Sequence, residues 1–210
     1  MMSTSQLVRP CISGFEHINR YQDKHSNLIA AKLLPGEYYV TRSDEMITTV
    51  LGSCVSVCIY DPLTKVGGMN HFMLPQNNKN QDMGVLSESF RYGDVAMERL
   101  INDLLKIGAA KERMLFKAFG GGQIIRHMTA IGDQNVKFLQ RFMQMEGYKL
   151  SASDFGGPWP RKINFFPQTG KVMLRKLQEL HNDTIINRES RYQTQITRAP
   201  EPAGDIDLFD

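Results

Sequence analysis

The run Cys54-Val55-Ser56-Val57-Cys58-Ile59-Tyr60 alternates, placing Val55, Val57 and Ile59 on one face of an extended chain. Asp61-Pro62-Leu63-Thr64-Lys65 then reads as a turn, because proline presets the backbone angle of a turn's second residue. Val66 to Leu74 returns as a second strand, with Gly67-Gly68 permitting close backbone approach or a bulge. The three pieces predict a β-hairpin. Folded about the midpoint between Pro62 and Leu63, the hairpin sets Cys54 opposite His71. Directly opposed side chains on antiparallel strands have Cβ atoms roughly 5 Å apart, so a thiol and an imidazole would meet. A slip of one residue would send them to opposite faces.

Working outward, Glu37 to Val40 reads as a short strand, and Asp44 to Thr49 leads into the β-rich block. Gln76 to Ser89 is polar and reads as a surface loop. Tyr92 to Ile107 carries Val95, Met97, Leu100, Ile101, Leu104 and Leu105 at the spacing of an amphipathic helix closed by Gly108. Arg113 to Phe119 predicts a strand ending at Gly120-Gly121-Gly122, which reads as a tight turn; no P-loop lysine and hydroxyl follow it. Gly132 to Met145 predicts a helix, Tyr148 to Ala152 and Lys162 to Phe166 strands, and Lys171 to Lys176 a strand or helix start. Residues 1–34 read as an N-terminal extension, 35–180 as one α/β (α+β) domain, and 181–210 as a disordered C-terminal tail.

Composition sets limits on function. The chain has 210 residues, 41% hydrophobic and 22% charged, which is enough for a substantial core without disulfides. A net charge of +3 offers no basic stripe for nucleic acid. No apolar run is long enough to span a membrane, and Met1 to Glu16 does not read as a signal peptide, so a cytoplasmic protein is expected. Cys54 and Cys58 on one strand would stand roughly 13 Å apart at about 3.3 Å per residue, beyond the roughly 7 Å that a disulfide allows. With Cys11 they read as free thiols, and the five histidines form no metal-ligand cluster. His17, His25, His127 and His181 have no evident partner.

Cys54 beside His71 has a chemical reading. An imidazole can take the thiol proton, creating a strong nucleophile, and return it to a leaving amine. Leu51-Gly52-Ser53 can bend tightly, and the N–H groups of Gly52 and Ser53 could form an oxyanion hole. On pattern alone, a packed thiol and a packed imidazole explain the two residues as readily.

Thr48-Thr49-Val50-Leu51-Gly52-Ser53-Cys54-Val55 and Gly68-Met69-Asn70-His71-Phe72-Met73-Leu74-Pro75 closely resemble the CheD family of chemoreceptor glutamine deamidases. The likeness continues through Arg91-Tyr92-Gly93-Asp94, Lys117-Ala118-Phe119-Gly120-Gly121, Asp154-Phe155-Gly156-Gly157, Arg161-Lys162 and Thr169-Gly170. The resemblance implies a protein-glutamine glutaminase acting on methyl-accepting chemotaxis receptors without metal or organic cofactor. Its threonine, cysteine and histidine motif falls on Thr48, Cys54 and His71, with Thr48 orienting the imidazole. It also implies layered sheets and helices similar to the cysteine-hydrolase core of deamidating toxins. Some members bind a CheC-type phosphatase, which gives a non-catalytic alternative. Gln134 and Pro158-Trp159-Pro160 depart from the family pattern, away from the hairpin.

Overall fold

A strand that is apolar on one face and small or polar on the other can be covered on both sides if its polar groups find partners. Residues 55–59 meet that condition, and all five are buried. The structure, a computed structural model, describes residues 10–75, 83–124, 129–178 and 183–198. Along these run β1 (Asn19–Gln22), β2 (Ile29–Lys32), β3 (Tyr38–Thr41), β4 (Glu45–Leu51), β5 (Val55–Asp61), β6 (Val66–Asn70) and α1 (Met83–Lys106). They are followed by β7 (Leu115–Gly120), α2 (Thr129–Met145), β8 (Leu150–Phe155), β9 (Arg161–Phe166), β10 (Lys171–Lys176) and α3 (Asp183–Arg198). One sheet has the order β1-β2-β4-β9-β10 and the other β3-β6-β5-β7-β8. The pairs β2–β4 and β7–β8 are parallel and the rest antiparallel. Helix α1 lies on β3 and β6, α2 packs on β5 and α1, and one continuous core joins both sheets. The mixed α/β class read from the sequence holds.

The hairpin forms with a shifted register. Cys58 pairs with Met69, Asp61 with Val66, and an isolated bridge joins Val55 to Phe72. Continued outward, this register sets Cys54 opposite Met73, not His71. The loop is responsible: Asp61 accepts the N–H groups of Leu63 at 2.9 Å and Thr64 at 3.4 Å, and Lys65 takes a left-handed φ of 55°. Arg113 clamps the same carboxylate, with Nη2 2.6 Å from Oδ2. The turn therefore centres one residue later than the proline suggests, which displaces the pairing by two. An even displacement preserves the face, so Cys54 and His71 become diagonal neighbours on the same side.

Both ends of the chain depart from the expectations. Of the expected N-terminal extension 1–34, the described residues 10–34 include β1 and β2, which continue the first sheet, and Ala30, Ala31 and Leu33 are fully buried. Arg20 pairs with the buried Glu45, whose other oxygen accepts the Tyr39 hydroxyl at 2.7 Å. The segment expected to be a disordered tail contains α3, which buries Ile185, Glu189, Gln193 and Ile196 on one face. Two of those four are polar, which hid the helical period. Of the expected loop Gln76 to Ser89, residues 76–82 lie outside the described residues, and 83–89 are helical, opening α1 at Met83 rather than Tyr92.

Leu33 tests the N-terminal segment directly. Leu33→Ala should cost about 2–5 kcal/mol, as buried leucine truncations do. It should lower the thermal midpoint followed by circular dichroism. An unchanged midpoint would mean that the segment contributes nothing to the folded domain.

Candidate active site

The chain leaves one sheet at the end of β4 and enters the other at the start of β5, crossing through Gly52-Ser53-Cys54. A buried crossing has to satisfy every carbonyl and N–H without a strand neighbour. The carbonyls are all engaged from one side. Gly122 N–H donates to the Gly52 carbonyl at 2.7 Å, Asn135 Nδ2 to that of Ser53 at 2.9 Å, and Gly121 N–H to that of Cys54 at 2.8 Å. Asn135 is itself fixed by accepting Leu74 N–H at 2.8 Å. The glycine run expected as a tight turn is therefore the clasp on the crossing. Gly120 sits at φ +120°, where a Cβ would run into the Cys54 carbonyl, so no other residue fits. The Ser53 N–H, anti to the Gly52 carbonyl, and the Gly52 N–H point together at a single carboxylate.

His71 is anchored at both backbone atoms: its N–H donates to Glu37 at 2.9 Å and its carbonyl accepts Gly36 N–H at 2.7 Å. Its ring is fully buried. The Thr49 hydroxyl donates its one proton to the Leu33 carbonyl at 2.9 Å. It must then accept from His71 Nδ1, 2.8 Å away. That assigns the proton to Nδ1 and leaves the Nε2 lone pair unpartnered among the described residues. Burial, reinforced by the nearby Arg188 guanidinium, pushes the imidazole pKa down to about 3, so the ring is neutral at physiological pH.

Thr48 does not reach this histidine, which corrects the expectation that it orients the imidazole. Adjacent strand residues face opposite sides. Thr48 Oγ1 lies 2.7 Å from Asn164 Oδ1 and 3.0 Å from the Ile163 carbonyl on β9. Thr49 holds the expected place instead.

Cys54 is fully buried, and its sulfur, a ring nitrogen of His71 and a carboxylate oxygen of Glu189 lie within 4.8 Å of one another. Glu189 comes from α3. Its Oε1 accepts Gly52 N–H at 2.7 Å, and its Oε2 accepts Ser53 N–H at 2.8 Å and the Ser53 hydroxyl at 2.7 Å. The expected oxyanion groups, Gly52 and Ser53, thus converge on one anion. Sequence reasoning missed Glu189, whose only signal was its place in the stripe Ile185, Glu189, Gln193, Ile196. Burial first, and Glu189 second, raise the Cys54 thiol well above its ordinary pKa. Thiol, imidazole and carboxylate are donor types that zinc takes, but both Glu189 oxygens already accept hydrogen bonds from the backbone. Cys58 is a buried thiol raised by burial alone in the main, Cys11 is partly exposed, and all three cysteines are free. His17 and His25 are exposed, and His127 and His181 lie outside the described residues.

A family profile described as CheD chemotactic sensory transduction matches residues 73–176, beginning just after His71. Relatives extend the match across the site. A Hahella chejuensis protein named "Probable chemoreceptor glutamine deamidase CheD" is 47% identical over 195 residues, covering 93% of this chain and 92% of its own. A Shewanella oneidensis protein, "Probable chemoreceptor glutamine deamidase CheD 1", is 47% identical over 206 residues, 97% and 99% of the two chains. A third, from Herminiimonas arsenicoxydans and with the same name as the first, is 49% identical over 193 residues, 91% and 94% of the two chains.

The tautomer provides a test independent of any substrate. In nitrogen-detected NMR of the imidazoles, His71 should show a protonated Nδ1 and a bare Nε2. Thr49→Val should disturb that signature and Thr48→Val should not. The reverse outcome would return the orienting role to Thr48.

Proposed function

The chain belongs to the CheD family, and we propose that it hydrolyses glutamine side-chain amides on chemoreceptors to glutamate, with Cys54 as nucleophile and His71 as proton carrier. The observation that carries this reading is the free Nε2 lone pair of a neutral, Thr49-anchored imidazole beside a thiol and two inward N–H donors. His71 Nε2 takes the Cys54 proton, and the thiolate adds to the amide carbon. The carbonyl oxygen, gaining negative charge, is received by the N–H groups of Gly52 and Ser53. The imidazolium gives its proton to the amide nitrogen, the C–N bond breaks, and ammonia leaves behind a thioester. Water, deprotonated by His71, then attacks the thioester. The C–S bond breaks, the proton returns to sulfur, and glutamate is released.

This chemistry calls on no metal or organic cofactor. The two sheets with helices packed against them are in keeping with the cysteine-hydrolase core of deamidating toxins. Among the described residues no helix is long and apolar enough to cross a membrane, and the substrate segments would be the cytoplasmic helices of the receptors. Nothing in the site favours the alternative role, a regulatory partner of a CheC-type phosphatase.

Mass spectrometry of a receptor cytoplasmic fragment should show glutamine becoming glutamate with the wild-type protein and not with Cys54→Ala. His71→Ala should lose about 10²–10⁴-fold in rate, the range of a general acid–base group. Thr49→Val should lose more than Thr48→Val, and Cys58→Ala should stay active. Activity retained by Cys54→Ala, or abolished by a chelator, would reject the thiol mechanism.

A further inference from the structure

Cys54, His71 and Glu189 are each fully buried, and Glu189 of α3 takes both N–H groups that a substrate carbonyl would need. An external glutamine can reach those donors only when Glu189 leaves them. What α3 inserts resembles what the site would make. Glu189 presents a glutamate side chain whose two oxygens rest on the Gly52 and Ser53 N–H groups, beside the thiol and the imidazole. Glutamine has the same length and shape, and its carbonyl oxygen can take the place of either carboxylate oxygen. The residue is also presented from a helix, with Ile185 four residues before it and Ile196 seven after it buried on the same face.

The seat of α3 is made by side chains, not by strand pairing. Arg188 Nη2 donates to the Val50 carbonyl at 2.9 Å, and the hydroxyls of Tyr192 and Tyr92 share a hydrogen bond. Gly36, at φ +87°, leaves the space the Tyr192 ring fills. The fit is incomplete: both polar atoms of Gln193 and Nε of Arg188 are buried without a partner among the described residues. Unsatisfied buried groups weaken an interface relative to one that satisfies them. A helix without them would compete well for the same seat.

We propose that α3 is a tethered product mimic: it occupies the docking site of the receptor helix, holds Glu189 where the new glutamate would lie, and keeps the enzyme closed until displaced. This rests on the deamidase reading. A favoured substrate is then a helix with its glutamine at the position of Glu189 and apolar residues four before and seven after it.

Two variants of the full chain test this. In Glu189→Gln, Cys54 receives a glutamine in cis. Attack on its side-chain carbon expels ammonia, leaving either a Cys54 thioester to residue 189 or, after water enters, glutamate. Peptide mass spectrometry should find one of these products, and neither when Cys54→Ala is added; an intact amide at 189 overturns the proposal. In Glu189→Ala, the closed state loses charged hydrogen bonds, and iodoacetamide labelling of Cys54 should accelerate by roughly tenfold or more. Cys58, still buried, should remain unlabelled, which excludes unfolding as the cause.

The groups facing the thiol are His71, Glu189, Arg188 and Tyr192. Removing the Glu189 carboxylate removes a negative charge that disfavours the thiolate. The pH profile of labelling should therefore move to lower pH in Glu189→Ala. Receptor-fragment deamidation should also rise. If it instead falls as in Cys54→Ala, Glu189 belongs to the catalytic set and the mimic is rejected. If labelling of Cys54 is no faster than in wild type, closure by α3 is rejected whether or not the fragment is a substrate. If Cys54→Ala alone abolishes receptor deamidation while both Glu189 variants behave as wild type, the deamidase reading stands and this inference falls.

Discussion

The passage of the chain from one sheet to the other through Gly52-Ser53-Cys54 is the constraint on which the rest depends. Three consecutive carbonyls are pulled to one side by Gly121, Gly122 and Asn135. In a planar trans peptide the next residue's N–H is anti to each carbonyl, so the Ser53 N–H points away from Gly122, and the Gly52 N–H joins it on Glu189. A buried N–H without a partner costs about 1–3 kcal/mol. Gly52 and Ser53 present two of them in one place, so the site demands an acceptor. The same demand makes the crossing a carboxylate seat for Glu189 and, in the mechanism proposed above, an oxyanion hole for a reacting amide. A Cβ on Gly52 would lie 2.3 Å from Ile124 Cδ1 and 2.7 Å from Glu189 Oε2, so a side chain there would displace the carboxylate from its seat.

How much of this was legible in the sequence depends on the range of each interaction. The Cys54–His71 hairpin was readable because alternation is local and its parity survives an even change in register. The register itself was not, since Asp61 holds the loop through Leu63, Thr64 and the distant Arg113 rather than through Pro62. The choice between Thr48 and Thr49 was one of face, and the family motif pointed to Thr48. The structure turns Thr49 inward because β9 claims Thr48, and β9 is more than a hundred residues away in the chain. The terminal elements failed for another reason. Strands β1 and β2 have four residues each, too few for a period to show. The buried face of α3 carries a glutamate and a glutamine, whose burial makes sense only once the N–H donors opposite are known.

Stability and chemistry share residues here. Leu33 packs in the core while its carbonyl accepts the Thr49 proton, so the N-terminal strands reach the histidine through a single hydroxyl. Asn135 on α2 ties Ser53 to Leu74, joining the neighbour of Cys54 to the segment that follows His71. Cys54 and His71 are thus held by both sheets and one helix. Preorganisation of this kind is what a site needs when donors must stand ready before charge develops.

The electrostatics of the closed state follow from burial. Burial penalises charge, which raises the thiol and lowers the imidazole, and both penalties favour the neutral pair. Arg188 and Glu189, adjacent on α3, then act in opposite senses on Cys54: the guanidinium favours the thiolate and the carboxylate opposes it. Because Glu189 also accepts the Gly52 and Ser53 N–H groups, one residue both occupies the proposed oxyanion site and disfavours the Cys54 thiolate. An incoming amide would replace an anion by a neutral group on the same two N–H donors. It would therefore remove the repulsion at the step where the thiolate must form, so that in this reading substrate entry and nucleophile activation are one event.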